Sequence, residues 1–365
     1  LLSKESGGLR LSSLNTVVGP SVADGERTKS FDCTAILVIA SIMAFFFPVR
    51  DKTDVFKKLS EEIEKELDIQ HFPATYIRQS FSSFWWQTLL FDRLFQKLSP
   101  QVVIISDAGE RAVIAACRRS RIKVIELQHG VFTNNDPDCL PFDAFDDANE
   151  RSLLLPDVLA LYGDYWVEKH KNTLMGRLGR ITVVGADIID RYRDKRTSLC
   201  NSRSNCLKFV VTSQGLDREQ LINFLLEFLS KCSEPCKLYI KLHPIYDVTR
   251  SPFVDAFGDD ERVHIISGLE EPNTLDLIVD ADLHISIASA CHYEALGIGC
   301  PSLVLGLSGH EPVYDLIQEG YTLYATTPEE LVQIVKKKCF KTSRNAPSEI
   351  FYSKGFVRRI SALIS

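Results

Sequence analysis

A chain of 365 residues has room for two domains of ordinary size. An apolar share of 45% against 25% charged excludes a disordered chain. A formal net charge of −6 excludes the basic footprint that a nucleic-acid partner requires. Local basic clusters at Arg118, Arg119 and Arg121, at Lys336 to Lys338 and at Arg358 and Arg359 read as solvated helix faces or last turns.

Residues 1–33 are rich in Ser, Gly and Thr without periodicity and read as an irregular lead-in. The uncharged run from Cys33 to Val49 falls just short of the ~20 residues of a membrane span. It is read as a strand over Thr34 to Ala40 with an aromatic continuation, which leaves a peripheral membrane contact open. Helices are expected over Asp54 to Leu67 and Ala74 to Leu98, the second with a wide apolar face of Phe81, Phe84, Trp85, Leu89, Leu90 and Leu94. A strand over Gln101 to Ser106, a helix over Glu110 to Ser120 and strands at Lys123 to Gln128, Asp157 to Tyr162 and Arg180 to Val184 complete a first alternating set. The polar, apolar-poor stretch 191–206 reads as the boundary between domains. A second set of strands follows at Leu207 to Thr212, Leu238 to Leu242, Val263 to Ile266, Leu283 to Ile287, Ser302 to Leu305 and Thr322 to Tyr324.

Near-continuous apolar strands alternating with helices mark parallel sheets covered on both faces. The expected architecture is therefore α/β, with two doubly wound (Rossmann-like) domains facing across a cleft. The boundaries are 34–195 and 196–345, followed by a helix over 346–365 that could pack back on the first domain. The ten cysteines are spread through apolar and motif-bearing segments, which points to thiols in a reducing, cytoplasmic compartment. The spacing of Cys232 and Cys236 suits some metal sites, but no second pair completes four ligands, so no metal and no cofactor are expected.

Ligands of such sheets bind beyond the carboxyl ends of the strands, so the residues just after each strand carry most weight. In the first domain these include Asp107 and His129, either of which could take a proton from an acceptor hydroxyl. An Asp cap on the next helix explains Asp107 equally well. In the second domain, Ser213, Gln214 and Gly215 form a loop through which backbone amides can approach a ligand. Lys241 and His243, just before Pro244, share a strand face and suit a phosphate better than an apolar core. Ser286 and Ser289 open a helix, and Glu294 in its first turns could accept hydrogen bonds from ribose hydroxyls.

With these motifs in order, the chain resembles the GT-B glycosyltransferases, in particular bacterial surface-polysaccharide (capsule and O-antigen) transferases. Gln128, His129 and Gly130 look like their Gln-His-Gly element, and Asp157 to Trp166 with Val183 to Gly185 look like the strands after it. Lys241 to Pro244 and Ser286 to Ser289 are similar to the His-Pro and paired-serine motifs with which bacterial sialyltransferases hold a CMP donor. The sialyltransferase acidic motif has two acids before its Gly, whereas here only Asp107 precedes Ala108 and Gly109.

The resemblance implies an enzyme that moves a sugar from a nucleotide-activated donor to a glycan or glycolipid acceptor, in the cytoplasm, with a place at the inner face of the membrane left open. CMP-linked sialic acid or Kdo is favoured as donor, while CDP- and UDP-linked sugars also fit. Asp107 or His129 would serve as base, and the strand tips of the second domain would hold the leaving nucleotide without a metal. A non-hydrolysing sugar-nucleotide epimerase, a CDP-alditol phosphotransferase and a non-catalytic binding module are the competing readings.

Overall fold

The computed structural model describes residues 10–12, 30–106, 109–132, 153–199, 206–342 and 348–364. By its internal contacts the chain divides into two compact units. The first runs to Ala160 and includes Asn172–Ile181, while the second comprises Leu161–Lys171 and everything from Thr182 onward. Two short strands, β1 (Arg10–Ser12) and β2 (Ser30–Asp32), pair in parallel near the start of the chain.

A four-stranded sheet follows, ordered β3 (Val102–Ile105), β4 (Lys123–Leu127), β5 (Val158–Leu161) and β6 (Ile181–Val183). Pairing is parallel between β3 and β4 and between β4 and β5. The helix Arg111–Ser120 buries Ala112, Val113, Ile114, Ala116 and Cys117, and the same core takes Phe91 and Phe95 from the helix Ala74–Leu98.

The segment expected as a first strand is instead the start of a helix, Thr34–Phe46. Its β-branched residues suggest a strand, but thirteen residues exceed the usual strand length. Helical spacing explains the burial as well, since Ile36, Ala40 and Ala44 form one buried stripe at four-residue intervals. Beyond the helix, Trp86 donates from Nε1 to the Phe47 carbonyl at 3.0 Å, and the Val49 amide donates to Ser82 Oγ at 2.9 Å. Phe45, Phe46 and Phe47 remain 71%, 67% and 62% exposed. Among the described residues, no helix is long and apolar enough to cross a membrane.

The second unit holds a six-stranded sheet ordered β12-β11-β10-β7-β8-β9, parallel at every registered pair. Its strands are β7 (Leu207–Thr212), β8 (Cys236–Lys241), β9 (Val263–Ile266), β10 (Leu283–Ser286), β11 (Ser302–Leu305) and β12 (Leu323–Ala325). The chain winds outward from β7 through β8 to β9, then returns to β10 on the other side of β7 and winds outward again. The direction of winding therefore reverses between β7 and β10, the point at which doubly wound sheets open a crevice for ligands. Burial along β10 and β11 is continuous and along β7 is broken only at Lys208, as in a sheet covered on both faces.

The polar stretch read as a boundary does not behave as a loop up to residue 199. Residues 187–199 form one helix, Asp187–Leu199, that belongs to the second unit. Two of its arginines are buried against the body of that unit. Arg193 donates to the carbonyls of Gly297 and Tyr352 at 3.0 and 2.7 Å. Arg196 donates to Gly299, Val279 and Ala281 at 3.0, 2.9 and 2.9 Å. A count of charged residues reads such a segment as solvated, because it cannot see that the carbonyls wait at the ends of a distant helix.

The C-terminal helices Ser348–Phe351 and Phe356–Ile364 also belong to this unit and hold the segment after β5. Trp166 Nε1 donates to the Phe351 carbonyl at 3.1 Å, and the Ser353 amide donates to the Tyr162 carbonyl at 2.8 Å. The helix Cys291–Ile298 comes so close that a Cβ on Gly297 would lie 2.4 Å from the Tyr352 ring, so only glycine fits there.

Arg196→Met would strip the carbonyls of Gly299, Val279 and Ala281 of their donor. The expected loss is about 2–4 kcal/mol of stability, read from urea unfolding of the second unit's fluorescence against wild type.

Candidate functional site

Three of the second unit's strand-end loops are tied together around one buried carboxylate. Asp247 is 2% exposed. Its Oδ2 accepts from Ser213 Oγ at 2.6 Å and from the Gly215 amide at 2.8 Å, and its Oδ1 accepts from Arg218 Nε at 3.1 Å. Ser213 Oγ in turn accepts the His243 amide at 3.2 Å. Gln214 Oε1 accepts the Ala288 amide at 2.9 Å, which joins the loop after β7 to the loop after β10. At Gly215 φ is +69°, and a Cβ would lie 2.6 Å from that of Tyr246. A side chain there would break the close approach of the two loops.

The structure thus brings Ser213, Gln214, Gly215, His243, Ser286 and Ser289 to the reversal point of one sheet. His243 is half-buried and stacks on Tyr246 with ring centroids 4.5 Å apart. Its Nδ1 accepts from the amides of Ile245 and Tyr246 at 3.1 and 3.2 Å. An accepting Nδ1 carries no hydrogen, so the ring presents its hydrogen on Nε2. Among the described residues Nε2 has no partner. The backbone of Pro244 passes so close to Gly268 that a Cβ on that glycine would lie 2.4 Å from the Pro244 Cα.

Ser286 is buried and donates from Oγ to the Thr212 carbonyl at 2.6 Å, which leaves only its lone pairs. Ser289 accepts the Cys291 amide at 3.2 Å and starts the helix Cys291–Ile298. Glu294 lies one turn into that helix. Burial pushes its carboxyl above the usual carboxylate range, against an opposing hydrogen bond from the Cys291 thiol. Tyr162 and Tyr352 stack at 4.7 Å, and both phenols are pushed up by burial and then by the charge of Glu294.

Lys241 departs from its expected role. It is 4% exposed, and its ammonium donates to the carbonyls of Ser267, Glu270 and Pro272. Three donors meet three acceptors, so no proton is left for a phosphate. Burial also lowers its pKa from the usual lysine value. Lys241 closes the loop after β9 instead of binding a ligand.

In the first unit His129 is exposed at the end of β4, edge-on to Phe132 with ring centroids 5.9 Å apart. Gln128 is buried and donates from Nε2 to the Gly130 carbonyl at 2.8 Å, which shapes the turn that presents His129. Asp107 lies outside the described residues.

Sequence reasoning missed Asp247 and a buried polar chain below the site. Thr212 Oγ1 meets His284 Nε2 at 2.9 Å, His284 Nδ1 meets Ser302 Oγ at 2.8 Å, and Ser302 Oγ meets His292 Nδ1 at 2.7 Å. Ser302 has one proton, so it donates to one imidazole and accepts from the other, and both rings are neutral. Burial lowers the pKa of each. His284 falls further beside His292, and His292 is brought down to about 3. The available signal was a polar residue inside an apolar strand, at His284 and again at Ser302.

An unfolded chain protonates histidine below about pH 6.5, whereas these two rings stay neutral when folded. The unfolded state therefore gains protons that the folded state refuses, and stability falls with falling pH. Each ring is expected to cost about 1.4 kcal/mol per pH unit below pH 6.5. Denaturant unfolding at pH 6.5 and 5.0 should show this slope, and His292→Gln should remove about half of it.

No protein-family model matches this sequence, and no curated protein matches it. Solved structures do match its fold. The UDP-GlcNAc 2-epimerase of Neisseria meningitidis, solved with UDP-GlcNAc bound, is 17% identical with a TM-score of 0.55, over 84% of this chain and 88% of that one. MurG of Acinetobacter baumannii is 14% identical with a TM-score of 0.51, over 83% and 87%. A glycosyltransferase of Rickettsia africae is 14% identical with a TM-score of 0.51, over 98% and 97%. The α/β fold with two parallel sheets is thus the GT-B fold that these proteins share.

Proposed function

We propose that the protein is a glycosyltransferase that takes its sugar from a nucleotide-activated donor, with the nucleotide held at the strand ends of the second unit. The observation that carries this reading is His243, an imidazole fixed as an Nε2–H donor beside the reversal point of the sheet. The amides of Ser289 and Ala290, which have no acceptor among the described residues, add two further donors at the start of a helix. Donors of this kind suit a phosphate that gains charge as its bond to the sugar breaks. Glu294 is suited to accept hydrogen bonds from ribose hydroxyls.

The donor is assigned as a CMP-sugar such as sialic acid or Kdo, on the paired serines and the His-Pro element. A second observation supports it. Cations near the strand tips are spent inside the protein, Lys241 on carbonyls, Arg218 on Asp247 and Arg250 on the Ile265 carbonyl and Glu270. Neutral donors suit the single phosphate of CMP better than the larger charge of a diphosphate. The acceptor proton is assigned to His129, with Asp107 as the other candidate base. The acceptor is a glycan or glycolipid, and exposed Phe45 to Phe47 would serve a peripheral membrane contact.

The alternative is a sugar-nucleotide epimerase, favoured by the UDP-GlcNAc 2-epimerase among the structures of like fold. An epimerase changes the donor alone. Incubation with UDP-GlcNAc and no acceptor should leave it unchanged, and a new sugar-nucleotide isomer would replace the transferase reading.

In a thermal-shift screen of CMP, CDP, UDP and GDP, CMP should stabilise the protein most. Preference for UDP would move the donor to a UDP-sugar, and preference for GDP would refute the pyrimidine assignment. His243→Asn keeps an acceptor for the amides of Ile245 and Tyr246 but loses the ring donor. It should lower kcat about a hundredfold with the melting temperature nearly unchanged.

Ribose hydroxyls need the ionised form of Glu294, whose pKa is raised. Nucleotide affinity should therefore fall with falling pH, beginning above the ~4.3 of an ordinary glutamate. Titrations from pH 8 to 5 should show this bend in wild type and lose it in Glu294→Gln.

A further inference from the structure

At the opposite end of β4 from His129, the first unit holds a recess of about 390 Å³. It lies between the last turn of the helix Arg111–Ser120 and the amino ends of β4 and β5. Its floor is apolar, formed by Ile114, Val124 and Leu155, all buried. Arg118, Arg121 and Lys123 stand exposed around it. Asp157 is the one acid among the described residues that line it.

Backbone bonds fix its shape. The Asp157 amide donates to the Val124 carbonyl at 3.0 Å, and Asp157 Oδ2 accepts the Val124 amide at 2.8 Å, so the chain entering β5 is pinned to β4. On the helix side the Ile122 amide donates to the Cys117 carbonyl at 2.9 Å, and Arg118 Nη2 donates to the Leu155 carbonyl at 3.4 Å. Walls built from regular elements leave a ligand little to order.

Cations after a helix have a structural explanation, because the carbonyls of a last turn favour positive charge. That accounts for Arg118, and Arg119 is taken by its ion pair with Asp92 at 3.3 Å. It does not account for the other two. Lys123 begins a strand. Arg121 has a left-handed φ of +57°, at a position where glycine is relaxed and a side chain is strained. Three cations around one acid leave positive charge in excess over an apolar floor, in a chain whose formal net charge is −6. A volume of this order, an apolar floor and a few charged groups at the rim are features of small-molecule sites.

We propose that this recess binds a small amphipathic anion, a carboxylate or phosphate carried on a short hydrocarbon body. Arg121 and Lys123 take the oxyanion, the guanidinium through the paired bonds that suit such groups. The hydrocarbon lies on Ile114, Val124 and Leu155. None of these residues takes part in the proposed sugar transfer, so the inference stands apart from that reading.

Isothermal titration calorimetry of the full-length protein tests it, with octyl phosphate, octanoate, inorganic phosphate and octyl glucoside as probes. Octyl phosphate or octanoate, according to the head group the site prefers, should bind once per chain with a Kd below about 1 mM. Inorganic phosphate and the neutral octyl glucoside should bind about tenfold more weakly or not at all. Added salt should weaken the binding, and saturating CMP should leave it unchanged.

Arg121→Gly removes the charge while relaxing the backbone, so the melting temperature should hold while binding weakens about fivefold. Lys123→Gln should weaken it to a similar degree. Lys97→Gln removes an exposed cation of the same unit outside the recess and should change nothing. Failure of both anionic amphiphiles to bind, equal affinity for octyl glucoside or for inorganic phosphate, or binding undiminished in Arg121→Gly and Lys123→Gln would each overturn the proposal.

Discussion

A carboxylate buried without partners would cost several kcal/mol, so the chain must bring donors to Asp247 wherever it closes the second unit. The donors come from Ser213, Gly215 and Arg218, all in or just after the loop that leaves β7. That demand fixes the loop after β7 to the loop after β8, and Gln214 carries the restraint across to Ala288 after β10. His243 is placed as a by-product, since its amide is held by the same Ser213 hydroxyl. A single buried charge thus sets the relative position of the groups on which the functional reading rests. Any ligand at these strand tips meets an arrangement already fixed by the fold, and so pays little to order it.

Beneath this layer the polar chain of Thr212, His284, Ser302 and His292 spans β7, β10, β11 and the helix after β10. An apolar core would pack these elements as well, but a hydrogen-bonded chain also fixes their register, because each donor has one acceptor. The cost is sensitivity to acid, since no member of the chain can accept a charge. Shielding the chain beneath the strand tips lets the site above face water while its support stays dry.

Much of this was legible in the sequence, for reasons that particular residues make clear. The β7, β10 and β11 strands are short apolar runs bounded by polar residues, and a parallel sheet buried on both faces allows little else. The loops after them were legible because ligand sites in such sheets gather at strand ends. The helix Thr34–Phe46 was misread because Ile, Val and Thr carry strand propensity, while the length of a run is set by what it packs on. Lys241 was misread because alternation along a strand gives a face and not a partner. Its three carbonyls come from a loop some thirty residues downstream. Asp247 had no local signature at all, since its donors lie about thirty residues away and the turn that carries it would suit any polar residue.

The misreading of Lys241 bears on the chemistry. A lysine free to reach a phosphate would supply a mobile, strongly hydrated charge, whereas the donors that remain are an imidazole N–H, backbone amides and the start of a helix. These groups cannot reorganise, and they hold their orientation before any ligand arrives, which is the condition under which dipoles stabilise a developing charge most effectively. Glu294 fits the same picture from the other side. Its carboxyl is pushed upward by burial even though it lies within the first turns of a helix, so the surroundings do not offer it strong cationic compensation. Lys241 and Arg218, spent inside the protein on carbonyls and on Asp247, hold the loops in shape.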